Sequence, residues 1–166
     1  MVKIKVKKLH PDAVIPKFMN KGDAGADLTA ISSESKDDLI IYGTGLAFEI
    51  PEGYCMKIYP RSSIFKYDLE LVNSVGVIDS QYRGEVKFMF RVPDFFMKNK
   101  LHDEFLKYCH PRHNYETLYD NIKIYNIGDR IGQAIIEKLV PTEYIEVEEL
   151  DMNNDRGGGF GSTDGK

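Results

Sequence analysis

The chain has 166 residues, 42% hydrophobic and 29% charged, a composition that builds one domain with its own core and excludes a disordered chain. Its net charge of −4 argues against a direct nucleic-acid binder but leaves room for a small anion held by a few arginines. Cys55 and Cys109 are too few for a disulfide framework, no apolar run reaches membrane-spanning length, and MVKIKVKKLH has neither the apolar core nor the cleavage site of a signal peptide, so a cytoplasmic chain away from membranes is expected.

From the N-terminus, Val2, Ile4 and Val6 alternate with lysines, the pattern of a half-buried strand. LII at 39–41 is a short apolar run; Leu46, Phe48 and Ile50 alternate; YCMKIY at 54–59 follows the turn IPEGY. Val86, Phe88, Phe90 and Val92 alternate with Lys87, Met89 and Arg91. After that strand the spacing of Leu101, Phe105, Leu106 and Tyr108 predicts a short helix from about Met97 to Cys109, stopped by Pro111. IKIY at 122–125 and IGQAII at 131–136 read as two further strands separated by NIGDR. Many short strands with turn signals between them imply an all-β antiparallel barrel or jelly roll.

Five stretches carry chemistry: GDAGADL (22–28), PRSSIF (60–65), NSVGVIDSQYRGEVK (73–87), GDRIGQ (128–133) and RGGGFGST (156–163). Each alone also reads as turn punctuation. Together they supply planar cations at Arg61, Arg130 and Arg156 and small hydroxyl donors at Ser62, Ser63, Ser162 and Thr163, an inventory suited to polyphosphate. Asp79, at the end of an apolar pair and before a turn-like SQYRG, is a candidate general base for a water or else a residue that only stabilises its own turn. The end of the chain, DRGGGFGSTDGK, is a flexible terminus by composition and an anion flap by its Arg156, Phe160 and Ser-Thr pair.

All five stretches, in order and across residues 22–163, resemble the five motifs of the trimeric deoxyuridine triphosphate nucleotidohydrolase (dUTPase) family; the third, NSVGVID followed by S-x-Y-R-G-E, is the most specific. The resemblance implies a jelly-roll subunit over residues 1–150, a glycine-rich lid over 151–166, and a homotrimer with shared active sites. It implies hydrolysis of dUTP to dUMP and pyrophosphate by water attacking the α-phosphorus with Mg²⁺ on the phosphates, which keeps uracil out of DNA and supplies dUMP for thymidylate synthesis. Asp79 would activate the water, and Tyr82 would pack on the deoxyribose and exclude a ribose 2′-hydroxyl. Asn73, Gly76, Val77, Ile78 and Lys87 would form the uracil slot. Arg61, Ser62, Ser63 and Gln133 would grip phosphate, and Asp27 would act on the metal through water. Arg156, Phe160, Gly161, Ser162 and Thr163 would close the lid. Arg130 is expected to pin a carboxylate at a subunit contact instead.

The sequence departs from the family pattern in four places: Ser63 replaces a glycine, Gln81 an acidic residue, Asp164 a glycine, and the tail is one residue shorter between arginine and aromatic. The stretch 93–121 is an insertion whose Phe95, Phe96 and Phe105 pack it and whose exposed aromatics would offer a protein partner a docking patch. Its His102, His110, His113 and Cys109 fit no standard zinc spacing. Two alternatives stand beside the dUTPase expectation: a related dCTP deaminase, which shares an Arg-Ser-Ser motif, and a dUTP-binding regulatory trimer acting through the insertion.

Overall fold

The computed structural model describes residues 1–36, 39–92, 122–153 and 155. The expected helix at 97–109, the rest of the 93–121 insertion and the lid residues Arg156, Phe160, Gly161, Ser162 and Thr163 lie outside them.

Among the described residues the chain forms ten strands: β1 (Lys5–Lys8), β2 (Ala26–Thr29), β3 (Ser32–Lys36), β4 (Leu39–Gly43), β5 (Leu46–Glu49), β6 (Tyr54–Pro60), β7 (Glu70–Leu71), β8 (Gly76–Ile78), β9 (Lys87–Arg91) and β10 (Arg130–Lys138). A single 3-10 turn, Ser62–Lys66, interrupts them. Every pairing is antiparallel. One four-stranded sheet runs β2–β10–β6–β8, a second runs β3–β4–β9–β7, and β1 pairs with β5 at the side.

Period-two burial explains the layering. In β9 Phe88 and Phe90 are buried while Lys87, Met89 and Arg91 face outward, as the alternation predicts. One apolar cluster takes Leu28, Met56, Ile58 and Ile131 from the first sheet and Ile40, Tyr42, Phe88 and Phe90 from the second, so both sheets sandwich a common core. Burying each of these large side chains contributes about 1.5–3 kcal/mol. The sheets approach so closely that a Cβ on Gly132 would come within 2.1 Å of the Phe88 ring; only glycine fits there.

Two strand expectations need correction. IKIY at 122–125 forms no strand: Lys123 exchanges its backbone groups with Asp68, and Tyr125 drops into the core. The N-terminal strand starts at Lys5, later than the alternation from Val2 suggests.

Candidate active site

Two clusters gather the motif residues, and β6 separates them. The first is built on Asp27, a buried carboxylate at 9% exposure in the middle of β2. Oδ1 accepts from Arg61 Nε at 3.2 Å and from Gln133 Nε2 at 3.3 Å; Oδ2 accepts from Arg130 Nη1 at 2.9 Å. A buried charge needs such partners, since desolvation without them is prohibitive.

The ladder explains how Arg130 and Gln133 both reach it. Three residues apart on a regular strand, they would point to opposite faces. The register of β10 against β2 slips between Arg130 and Gly132, however, and that irregularity turns both side chains onto Asp27, a common use of a bulge. Arg61 arrives from the end of β6, with Ser62 and Ser63 opening the 3-10 turn beside it. Two guanidiniums face one carboxylate, so among the described residues the cluster carries a net positive charge. Hydroxyls and a spare guanidinium charge at a chain turn suit a phosphate group.

Burial pushes the Tyr125 phenol from 10.0 up to about 12, an effect the Arg61 guanidinium opposes. Its hydroxyl is buried without a hydrogen-bond partner among the described residues.

The second cluster lies on the turn between β8 and β9. Asp79 follows β8 directly and is exposed; its backbone carbonyl accepts the N–H of Tyr82 at 3.1 Å. Tyr82, 45% exposed, donates its hydroxyl to the Glu85 carbonyl at 3.0 Å. Together with Ile78, Glu85, Val86 and Lys87 it lines an open cleft of about 490 Å³. Asn73 and Lys87 line a neighbouring cavity of about 370 Å³ with Glu34, Ile41, Val72 and Met89. Gly76 is buried against Ile58, whereas Val77 on the next register position is 58% exposed. Between Asn73 and Gly76, Ser74 adopts a left-handed φ of 57°, a strained conformation for a residue with a side chain.

Asp79 and Asp27 do not meet within one chain. Met56 stands opposite Ile78, so Asp79 continues at the level of Cys55, while Arg61 lies past the other end of β6. About 20 Å of extended strand separates Asp79 from Arg61.

A family model described as dUTPase matches residues 12–94. The deoxyuridine 5'-triphosphate nucleotidohydrolase of Nautilia profundicola is 38% identical over 98% of this chain and 99% of its own length. That of Wolinella succinogenes is 35% identical over 98% of this chain and 94% of its own. The chain belongs to the dUTPase family. The likeness extends to solved dUTPase structures: that of Staphylococcus bacteriophage 80alpha with dUpNHpp gives a TM-score of 0.69 at 22% identity, over 97% of this chain and 98% of that one. The dUTPase of the S. aureus phage phi11, solved to visualise a species-specific insert, gives 0.63 at 20% identity over 90% and 98%. The all-β jelly-roll expectation is therefore met.

Sequence reasoning placed Asp27, Arg61 and Gln133 in one site through the family resemblance, and the structure brings them together with Arg130, which the same reasoning assigned to a subunit contact. It did not foresee the Glu85 carboxylate, which accepts the Gly45 N–H at 2.8 Å and pairs with Lys87 at 3.3 Å, anchoring the third motif to the start of β5. The Arg-Gly-Glu of that motif was the available signal.

Proposed function

We propose that the two clusters are halves of one dUTP site completed by different chains of a homotrimer, with phosphate held at Asp27, Arg61 and Gln133 and chemistry performed at Asp79. Hydrolysis of dUTP to dUMP is the activity this dUTPase carries. The observation behind the shared site is the run of β6 from the level of Asp79, at Cys55, to Arg61, about 20 Å of strand that is too long for one triphosphate to bridge.

In this scheme the Asp79 carboxylate takes a proton from a water as its oxygen bonds to the α-phosphorus. The bond from that phosphorus to the bridging oxygen breaks, and pyrophosphate leaves. Arg61, Ser62 and Ser63 orient the phosphate chain, and most of the acceleration comes from that positioning. Asn73, Gly76, Val77, Ile78 and Lys87 read the base, where a backbone slot rejects cytosine by leaving polar groups unpaired. Tyr82 packs on the sugar.

Magnesium dependence is general in the family, and a bound ion would neutralise phosphate oxygens as charge moves. Among the described residues no group of three or more His, Cys, Asp or Glu could hold a metal; Mg²⁺ is commonly held by substrate phosphates and one or two carboxylates and keeps several waters. Asp27 fits a contact through water: Oδ1 already accepts twice, but Oδ2 accepts once and keeps a lone pair for a metal-bound water.

Support for a neighbouring chain also comes from residues 139–153. They form no strand and expose Val140, Tyr144, Ile145 and Leu150, Tyr144 to 94%. A segment with that much apolar surface fits a partner subunit. Beyond it, Arg156, Phe160, Gly161, Ser162 and Thr163 would close over the nucleotide as a lid, and truncation after Asp155 should abolish turnover without lowering the melting temperature. Among the described residues no helix is long and apolar enough to cross a membrane.

Subunit mixing tests the shared site. Arg61→Met and Asp79→Asn homotrimers should each be inactive, yet refolding them together in equal amounts should restore about one quarter of wild-type turnover, the share of sites receiving both intact halves. No recovery in verified mixed trimers would overturn the shared site. Following pyrophosphate and ammonia from dUTP, dCTP and UTP separates hydrolase from deaminase.

A further inference from the structure

Three residues of the third motif, Arg83, Gly84 and Glu85, have no part in the scheme above, although they sit beside both groups that do. Each touches the Tyr82 segment in a different way. The Arg83 guanidinium donates through Nη1 to the carbonyl of Ser80 at 2.6 Å and to that of Tyr82 at 3.0 Å, gripping the turn that carries Asp79. Gly84 is the seat of the Tyr82 ring: a Cβ there would come 2.5 Å from the phenol oxygen and 2.7 Å from Cζ. Glu85 holds the phenol with its carbonyl and ties the loop to Gly45 with its carboxylate.

Exposed aromatic rings ordinarily keep their rotamer freedom. The Tyr82 ring is held at its hydroxyl, along its phenol end by Gly84 and, through the turn, at its backbone. Such bracing places an aromatic edge with the precision a steric filter requires.

We infer that Arg83 and Gly84 are positioning residues, Gly84 setting the sugar selectivity of the site by fixing the Tyr82 ring and Arg83 supporting turnover by fixing the turn that joins that ring to Asp79. This rests on the proposal that Tyr82 faces the sugar and Asp79 the attacked phosphorus. With a methyl at position 84 the ring must move, and the wall against a 2′-hydroxyl moves with it. The backbone is not forced to follow, because Gly84 does not occupy the left-handed region and its nearest obstacle is the far end of a half-exposed side chain. The two residues should therefore fail differently: Gly84→Ala in discrimination, Arg83→Met in turnover.

The test compares kcat/KM for dUTP and UTP in the full-length protein, with thermal melts as the folding control. Gly84→Ala should lower the dUTP:UTP ratio about 10- to 100-fold, the range typical of small steric misfits, with kcat for dUTP falling much less. Arg83→Met should lower kcat about tenfold or more with little change in KM, as expected when a reacting group is displaced. Arg83→Lys, which can still donate to one carbonyl, should recover part of it. An unchanged ratio in a folded Gly84→Ala variant, or unchanged kcat in Arg83→Met, would overturn the corresponding assignment. A wild-type protein that hydrolyses dUTP but does not reject UTP would instead overturn the role given to Tyr82, and this inference with it.

Discussion

Asp27 and Asp79 have the same side chain and lie in motifs of similar length, but the fold treats them oppositely. Asp27 is buried in a central position between β10 and a bridge to Lys17, and both its oxygens are taken by donors 34, 103 and 106 residues away. Asp79 is exposed on a turn whose internal hydrogen bonds span at most three residues. The first carboxylate pairs with cations; the second is open to solvent, where the proposed mechanism needs it. A charge that organises neighbours is stabilised by tertiary pairing, whereas one that accepts a proton must stand open to the group that gives it.

The largest test of that contrast is Asp79→Asn. Removing a general base lowers turnover by about 10²–10⁴, while an exposed, isosteric change should leave folding and nucleotide affinity untouched. Pyrophosphate release, a binding titration and a thermal melt check the three parts. Turnover near wild type would place the base elsewhere and make Asp79 a turn residue.

Asp27→Asn should do the reverse, acting on stability first. Breaking a buried pair costs about 3–5 kcal/mol, but both guanidiniums here keep contact with water, so about 2 kcal/mol is expected. Denaturant unfolding measures it. A stability cost well below 1 kcal/mol would mean that water already screens the cluster and that the two aspartates differ less than their burial implies.

That difference in reach also decides what the sequence revealed. The Tyr82 brace lies within six consecutive residues, Ser80 to Glu85, and the motif containing it was the most specific stretch of the chain. Arg130 on Asp27 was not legible, because spacing along a strand predicts opposite faces for Arg130 and Gln133 until the slipped register is known. Strands followed the same rule. β9 announced itself through alternating burial, but β3, SSESK, is exposed at all five positions on a sheet edge, so no apolar pattern encodes it. IKIY misled for the opposite reason: Ile122 and Tyr125 serve packing, while the backbone of Lys123 bonds to Asp68 instead of a ladder. The β2 strand hid inside a Gly-Asp motif that reads equally well as a turn.

Chelation gives a finer separation. If Asp27 is held by arginines rather than by a metal, EDTA should suppress dUTP hydrolysis and leave the melting temperature of the nucleotide-free protein within about 1 °C, since a ligand stabilises only what it binds. A larger drop would reveal a structural ion and reassign part of the order around Asp27 to it.

The smallest expected effect probes how dry the core is at Tyr125, whose phenol feels the charge of Arg61 from the Asp27 cluster. Tyr125 is 3% exposed, packs against Tyr42, Tyr67 and Phe90, and has no hydrogen-bond partner for its hydroxyl among the described residues. Burial raises its pKa from 10.0 to about 12, so the folded state favours the neutral phenol more than the unfolded state does. Its contribution is complete below pH 10 and is lost as pH rises through 12. Tyr125→Phe deletes an unpaired buried hydroxyl and should raise stability near neutral pH by about 1 kcal/mol. The same variant should unfold less steeply over the alkaline range, with a remainder from Tyr42, whose phenol is also pushed up by burial. Equal alkaline sensitivity in wild type and variant would mean that water reaches the Tyr125 hydroxyl, and that this part of the core is not sealed from solvent.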